Sequence, residues 1–263
     1  MSLSRLLNRL TQVFLASPCP LCQRSASSLP LCNSCYQQML ICQWSDSKQI
    51  HSIQRLSSQL TLPDTAVVPV FSWGKYQGVL KHVLASLKYE HQAELGFWLG
   101  CQLGQCWQLS LSKAIPQSIY RQRPIVIPIP LHIQKLKQRG YNQAALIAKG
   151  FCRVTGLPLI EDGLIRIKAT DAMYRLGVKA RQANVTGTFQ LGQNLPQQGR
   201  PLLLIDDIYT TGSTAKAAAV PLMQAGYTIM GIASIAQAGL SSLPIASAES
   251  DPDRQILDLH PSL

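Results

Sequence analysis

The feature that most constrains this chain is the thirteen-residue run LLLIDDIYTTGST at positions 202–214. Its leading apolar residues predict a strand buried on both faces of a parallel sheet. Two adjacent carboxylates, Asp206 and Asp207, stand at the end of that strand, and a loop of small hydroxylated residues around Gly212 follows them. In an open α/β sheet, ligands bind in the crevice at the carboxyl ends of the strands. The run therefore predicts a fold class and the position of a site within it.

Neighbouring segments extend this run into a strand–helix–strand unit. Residues 214–225 have a helical pattern that Gly226 closes, and residues 227–235 predict the next strand. Upstream, PIVIPIP at 124–130 predicts another short buried strand, and Asn142 is placed to cap a helix. The predicted buried face of that helix carries Ala144, Ile147, Ala148 and Phe151. Alternating strands and helices of this kind predict an α/β fold, with a parallel sheet flanked by helices.

The loop after the acid pair has the chemistry of a phosphate cradle. Gly212 lets the backbone turn sharply and lets an anion approach, and the start of the following helix favours negative charge. Carboxylates beside such a cradle indicate a sugar, because they accept hydrogen bonds from ribose hydroxyls while the loop holds the phosphate. The alternative is that the acids only cap a helix or end a strand. The hydroxyl groups of the loop belong to Thr210, Thr211, Ser213 and Thr214.

Two basic segments are candidates for contact with an anion. The segment LHIQKLKQR at 131–139 follows a predicted strand and carries Lys135, Lys137 and Arg139. On a loop beside the cradle these cations suit a doubly charged anion, and the alternative is the solvated start of a basic helix. The segment 168–187 is basic and has few apolar anchors. It is either a loop that closes over a ligand or an ordinary surface loop.

The cysteines near the N-terminus predict a structural zinc site. Two CxxC pairs are separated by nine residues, and four thiolates can close a tetrahedral zinc site. Paired disulfides and a redox motif are the weaker alternatives in a reducing compartment. Cys42 is a spare thiol that could substitute for a ligand. The predicted ligands are Cys19, Cys22, Cys32 and Cys35, and the predicted core thiols are Cys101, Cys106 and Cys152.

Charge and hydropathy narrow the classes of partner. The formal net charge of +11 favours polyanions such as nucleic acid, nucleotides, phosphorylated sugars or anionic lipid. Aromatic residues make up 6% of the chain and do not interleave with the basic segments, so no base-stacking platform is evident. The sequence holds no apolar run long enough for a transmembrane helix and no apolar core typical of a signal peptide. We therefore expect a cytoplasmic protein.

These patterns divide the chain into five segments. Residues 1–16 are predicted to form an amphipathic helix that packs on the protein, with a membrane-surface helix as the alternative. Residues 17–45 form the four-cysteine zinc module, and residues 46–65 a polar connector. Residues 66–239 form the α/β domain, and residues 240–263 a flexible tail.

The segment 205–214, IDDIYTTGST, resembles the phosphoribosyl-pyrophosphate signature of type I phosphoribosyltransferases. The resemblance implies that Asp206 and Asp207 hold the ribose hydroxyls and that the Thr/Gly/Ser loop binds the 5′-phosphate. It also implies a magnesium ion, Mg²⁺, carried on the pyrophosphate. In such enzymes a segment placed like 131–139 binds pyrophosphate, and one placed like 168–187 is a mobile loop that closes over substrate.

Other stretches, up to about residue 238, resemble the ComF family of competence-related, phosphoribosyltransferase-like proteins. One departure from the family pattern is Met173, where a glutamine is expected. If that glutamine touches ligand, this chain has lost the contact. The stretches that carry the resemblance are the paired cysteines, Tyr76-Gln77-Gly78, Leu87-Lys88-Tyr89, IPIPL at 127–131, RGYNQ at 139–143 and the spaced set Arg166, Thr170, Leu176, Arg181, Asn184 and Phe189.

The resemblance implies a protein that binds phosphoribosyl pyrophosphate and is linked to DNA uptake and natural transformation. As a transferase it would expel pyrophosphate from C1 of the ribose, and Arg139 with Lys135 or Lys137 would neutralise the leaving group. Two alternatives stay open. One is a non-catalytic ligand sensor that meets single-stranded DNA or a helicase-like partner, and the other is a salvage or sugar-metabolism phosphoribosyltransferase. The sequence identifies neither an acceptor base nor a general base.

Overall fold

The structure is a computed structural model that describes residues 18–26, 29–45, 68–90, 92–114, 122–168, 187–195 and 198–238. The predicted N-terminal helix, the connector and the tail lie outside the described residues, as do Met173 and most of the 168–187 segment. In chain order the described elements are α1 (Asn33–Leu40), β1 (Val70–Lys75), α2 (Gly78–Tyr89), α3 (Ala93–Ala114), β2 (Ile125–Pro128), α4 (Ile133–Arg139), α5 (Gln143–Thr155), β3 (Leu164–Arg166), β4 (Phe189–Leu191), β5 (Leu202–Tyr209), α6 (Ser213–Gln224) and β6 (Ile229–Gln237).

A four-stranded parallel sheet forms the centre of the fold. Its strand order is β1-β6-β5-β2, so β5 lies inside the sheet between β6 and β2. Residues Leu202 to Ile205 are fully buried, as expected for a strand covered on both faces. A separate antiparallel hairpin is formed by β3 and β4.

Two hydrophobic cores lie on opposite faces of the sheet. Helices α2, α3 and α5 cover one face, and α6 with the β3–β4 hairpin covers the other. The alternation of side chains along β5 serves both cores, because Leu203 and Ile205 enter the first while Leu202 and Leu204 enter the second. The predicted apolar face of α5 is confirmed, since its four residues are at most 3% exposed.

The outer edges of the sheet are paired with backbone from neighbouring segments. Beside β1, the residues after α1 form an antiparallel bridge, with Trp44 N donating to Trp73 O and Lys75 N donating to Cys42 O. Beside β2, Val126 exchanges hydrogen bonds with residues 158–160. Pairing of this kind satisfies edge groups that would otherwise template aggregation. The cysteine-bearing segment is therefore tied to the sheet itself.

Glycines bring the helices α3 and α5 into backbone contact. A Cβ built on Gly150 would lie 1.9 Å from the carbonyl oxygen of Phe97, and one built on Gly100 would lie 2.0 Å from that of Ile147. Real Cβ atoms do not tolerate such distances, so the packing of these helices requires glycine at both positions. This close approach positions the N-terminus of α5 at the carboxyl end of β2, where Asn142 Nδ2 donates to Ile129 O.

We predict that Gly150→Ala destabilises the protein by at least about 2 kcal/mol, because the new methyl group forces the two helix backbones apart. Urea unfolding followed by circular dichroism measures the change. Lys149→Ala is the control on the same helix, and a surface change of this kind should cost less than about 1 kcal/mol. Equal stability of the Gly150→Ala variant and the wild type would show that the helices are not in the contact described.

Candidate functional site

The acid pair lies in the last part of the central strand. We expected Asp206 and Asp207 to follow the end of the strand, and this boundary is wrong, because β5 continues to Tyr209. The strand is longer because its parallel pairing with β6 does not stop at the acids: Asp206 lies opposite Ser234, and Tyr209 lies opposite Gln237. Both carboxyl groups are therefore held on ordered strand backbone at the carboxyl edge of the sheet.

The two acids interact with cations on opposite faces of the sheet. On the face covered by α2, Lys88 Nζ lies 2.6 Å from Asp207 Oδ2. On the other face, Arg166 at the end of β3 interacts electrostatically with Asp206. This arrangement follows from strand geometry, since successive side chains of β5 point to opposite faces. The backbone also links the acids, because Asp207 N donates a hydrogen bond of 2.8 Å to Asp206 Oδ1.

The surroundings of the acid pair shift the pKa of Asp206. Burial, and then the neighbouring charge of Asp207, raise the pKa of Asp206 to about 8. Burial alone would lower the pKa of Lys88, yet the carboxylate of Asp207 outweighs it and raises that pKa. Burial thus favours the protonated form of Asp206, whereas Asp207 lies in the ion pair with Lys88.

The loop after β5 is shaped as a turn into the helix α6. Gly212 has a φ of 75°, a left-handed conformation that favours glycine, and it forms the N-cap of α6. The hydroxyls of Thr211 and Ser213 lie 2.8 Å apart. Thr210 and Thr211 are exposed, and Ser213 and Thr214 are partly exposed at the first turn of the helix. The geometry suits an anion, which would meet hydroxyls, backbone N–H groups and the positive end of a helix.

Buried polar atoms without a partner lie near the same edge of the sheet. The hydroxyl of Tyr209 and Oε1 of Gln237 have no hydrogen-bond partner among the described residues, and their backbones are register partners at the ends of β5 and β6. At the start of α5, Nε2 of Gln143 is also buried without a partner. Unsatisfied buried polar groups are costly, and a bound ligand is one way to satisfy them.

The basic segment 131–139 is a helix rather than a loop. The helix α4 follows β2, and His132 caps it by accepting a hydrogen bond from Gln134 N. Lys137 is exposed on this helix, whereas Lys135 is partly buried. The segment is helical because the caps His132 and Gly140 close a short helix at both ends, and contact of its cations with an anion stays a prediction.

Arg139 connects α4 to the helix that carries Lys88. Its guanidinium lies 5.5 Å from the ring centre of Tyr89, and its Nη1 donates to Gln143 Oε1. Nearby, the hydroxyl of Tyr141 donates to Leu87 O at 2.7 Å. The last turn of α2 and the segment after α4 thus form one surface, in which Arg139 contacts Tyr89, the residue next to Lys88.

Sequence reasoning assigned no role to Lys88 or Arg166. Both belong to stretches that carry the family resemblance, yet neither is in a basic cluster or a recognisable motif. One feature of the sequence could have pointed to Lys88: it is the cation in the last turn of a helix whose other face is apolar. Arg166 lies at the end of a three-residue strand and gave no comparable signal.

The four predicted zinc ligands come together. The sulfur atoms of both CxxC pairs lie within 4.8 Å of one another, with 3.5 Å between Cys22 Sγ and Cys32 Sγ. For Zn–S bonds of about 2.3 Å, tetrahedral sulfurs lie about 3.8 Å apart, so this spacing fits zinc. Although burial opposes ionisation, backbone amide hydrogen bonds lower the pKa of Cys19 to about 7. The donor set and its charge could hold a structural metal ion.

Other cysteines have different surroundings. Cys42 is not part of the four-sulfur group, and its Sγ lies 3.3 Å from Gln77 O, at the start of α2. Cys106 is buried in the first core, as expected, whereas Cys101 and Cys152 are only partly buried. All eight cysteines lie in the described part of the chain, and none of them forms a disulfide there.

Within the described part of the chain, no helix has the length and apolar character needed to cross a membrane. The fold class predicted from sequence is confirmed by the parallel sheet, its flanking helices and the cysteine cluster near the N-terminus. The fold and the site thus define an α/β protein with an acid pair and a hydroxyl-rich loop at the carboxyl edge of its sheet.

Curated relatives confirm the resemblance to the ComF family. Competence protein F of Haemophilus influenzae is 25% identical over 197 residues, which are 74% of this chain and 80% of that protein. Competence protein ComFC of Bacillus subtilis is 26% identical over 208 residues, 79% of this chain and 72% of that protein. DNA utilization protein YhgH of Escherichia coli O157:H7 is 32% identical over 101 residues, 38% of this chain and 44% of that protein. No family model matches the chain.

Two solved structures are similar to part of the chain. The allosteric regulatory enzyme of purine biosynthesis is 19% identical with a TM-score of 0.34, over 55% of this chain and 25% of that one. Glutamine phosphoribosylpyrophosphate amidotransferase from B. subtilis, complexed with ADP and GMP, is 18% identical with a TM-score of 0.32, over 55% of this chain and 26% of that one. This chain thus spans about a quarter of either enzyme.

We predict that Asp206→Asn stabilises the protein at pH 8. An unfolded Asp loses its proton near pH 4, whereas the folded Asp206 keeps it until about pH 8. The folded state binds more protons in that interval, so this group lowers stability as pH rises through it. The asparagine removes that loss and should raise the free energy of unfolding at pH 8 by at least about 1 kcal/mol.

Urea unfolding at pH 4.5, 6 and 8 measures the difference in unfolding free energy between Asp206→Asn and the wild type. This difference should become smaller toward acid pH. Glu90→Gln, at an exposed carboxylate just after α2, is the control and should show no such trend. An Asp206→Asn protein that is less stable than the wild type at pH 8 would contradict the prediction.

Proposed function

We propose that this chain binds phosphoribosyl pyrophosphate, or a similar ribose-phosphate, at the carboxyl edge of its sheet. The observation that carries the proposal is the continuous path from the acid pair of β5, through the turn at Gly212, to the start of α6. One end of this path offers acceptors for sugar hydroxyls, and the other offers donors for a phosphate. A ribose 5-phosphate carries both sugar hydroxyls and a phosphate.

The proposed roles follow the chemistry of each group. Asp206 and Asp207 accept hydrogen bonds from the ribose hydroxyls, and the loop of Thr210, Thr211, Gly212, Ser213 and Thr214 holds the 5′-phosphate. Arg139, with Lys135 or Lys137, balances the charge of the pyrophosphate. The position of Arg139 supports its part, because its contacts with Tyr89 and Gln143 direct it toward the helix that carries Lys88. Mg²⁺ would arrive with the pyrophosphate and reduce its charge.

The names of the relatives support a biological setting. Two are competence proteins and one is a DNA utilization protein, so we propose a role in DNA uptake for this chain as well. In that setting the protein is either a phosphoribosyltransferase or a ligand-binding protein without turnover. Release of pyrophosphate on incubation with candidate bases distinguishes these possibilities, since only the transferase breaks the bond at C1.

We predict that the double change Asp206→Ala with Asp207→Ala weakens binding of Mg²⁺–phosphoribosyl pyrophosphate by at least about 100-fold. Each carboxylate bond to a hydroxyl contributes about 1.5–3 kcal/mol, and the pair is lost together. Titration calorimetry measures the affinity, with Asp162→Ala as a control at a carboxylate of the loop before β3. A folded double variant with unchanged affinity would refute ribose binding at this site.

Pyrophosphate alone and ribose 5-phosphate alone refine the same titration. The double variant should lose affinity for ribose 5-phosphate and keep its affinity for pyrophosphate. Loss of pyrophosphate binding as well would place the acids at the wrong end of the ligand.

We further propose that the four-cysteine cluster binds one structural zinc ion. Four sulfurs at tetrahedral spacing support it, together with amide groups that stabilise the thiolate of Cys19. We predict about one zinc per chain in the purified protein and less than half in the Cys22→Ser variant, with an unfolding midpoint at least about 5 °C lower. Cys22 suits this test because it is exposed, so its replacement does not disturb packing.

Metal analysis and thermal unfolding provide these two readouts. Cys101→Ser is the matched control, a partly buried thiol outside the cluster, and should keep its zinc. A wild-type protein without zinc, in which all eight thiols react with a thiol reagent after unfolding, would reject the site.

A further inference from the structure

The ion pair between Lys88 and Asp207 is the basis of a further inference. The two groups lie 2.6 Å apart, and their side chains are only 19% and 15% exposed. Charges at such a position lose hydration, so a pair of this kind seldom stabilises a fold more than apolar residues would. The helix α2 has no need of it as an anchor, because its buried residues already fix it to the sheet. Fold stability thus does not explain this ion pair, and we looked for its role in the candidate site.

The charges around the acid pair show what Lys88 changes. Asp206 and Asp207 are adjacent carboxyl groups, and Lys88 acts on both. Tyr76, just after β1, also faces Lys88, and Arg166 of the hairpin faces Asp206 from the other side of the sheet. Lys88 contacts Asp207 directly, and its charge also acts on Asp206. Without it, two carboxyl groups would compete for ionisation in front of a polyanionic ligand.

The geometry also leaves part of Asp207 available. Lys88 Nζ contacts Oδ2, and the carboxylate has further acceptor positions on Oδ1. Lys88 reaches Asp207 from the α2 side of the sheet. The loop that leads to α6 follows the two acids along the chain. A sugar hydroxyl can thus donate to a carboxylate that Lys88 already holds in one orientation.

We propose that Lys88 is a positioning residue of the ribose-phosphate site, which holds the carboxyl group of Asp207 in one orientation as a standing acceptor for a ribose hydroxyl. Asp206 then acts as the second acceptor, and it must release its proton before it accepts bonds with both oxygens. The two acids of the signature thus have unequal roles. This inference rests on the function proposed above and assigns to it a residue outside the signature.

Binding of Mg²⁺–phosphoribosyl pyrophosphate between pH 6.5 and 9 tests the inference, in the wild type and three variants of the full chain. Lys88→Met should bind at least about tenfold more weakly at pH 7, and its midpoint of pH-dependent binding should move upward by at least about one pH unit. Lys88→Arg, which keeps the charge, should stay within about threefold of the wild type. Lys81→Met changes an exposed lysine of the same helix and should have no effect.

The pH profile separates positioning from a general loss of structure. Circular dichroism and zinc content establish that each variant is folded, and if Lys88→Met does not fold, Lys88→Gln replaces it in the same comparison. A wild-type protein that binds, with Lys88→Met sharing its affinity and pH profile, would overturn the inference and leave the proposed function standing. A folded wild type that does not bind the ligand at any pH would overturn both.

Discussion

Two adjacent carboxyl groups on one buried strand are the main constraint on the architecture of this protein. A strand at the centre of a parallel sheet is covered on both faces, and Asp206 and Asp207 extend it by two acidic side chains that point to opposite layers. Each layer must therefore supply a polar or charged side chain that interacts with a carboxyl group. The α2 layer supplies Lys88 by direct contact, and the hairpin layer supplies the charge of Arg166. The architecture of both layers is thereby linked to the site.

The sequence predicted those elements that depend on residues close together in the chain. The apolar run of β5, the cap at Asn142 and the buried face of α5 all depend on residues within a turn or two, and all are confirmed. The end of β5 could not be placed in this way, because it depends on pairing with β6, more than twenty residues further along the chain. The basic segment 131–139 was equally ambiguous, since a loop and a short capped helix have the same charge pattern.

The sequence predicted only the part of the site that lies on one continuous segment. The acids and the hydroxyl-rich loop share a continuous stretch of chain, so their motif could be read directly. Lys88 joins them because the sheet order places β6 beside β5 and β1 beside β6, and the helix after β1 brings Lys88 to Asp207. Strand order is a property of the assembled sheet and leaves no signature near Lys88. The two CxxC pairs could be predicted for the opposite reason, because their ligand spacing is short and local.

The cysteine segment and the site share structural support. The segment has no separate core: Cys19, Cys32 and Cys35 belong to the same hydrophobic cluster as the buried leucines of α2 and α3. Tyr36 of α1 packs edge-on against Trp98 of α3, and Cys42 contacts the residue that precedes α2. Because α2 carries Lys88 at its other end, a metal held by the cysteines would stabilise the helix that positions a charge against Asp207. The buried carboxyl group of Asp206 lowers stability as pH rises from about 4 to about 8, and a metal bound at the cysteines would offset that loss without occupying the ligand crevice.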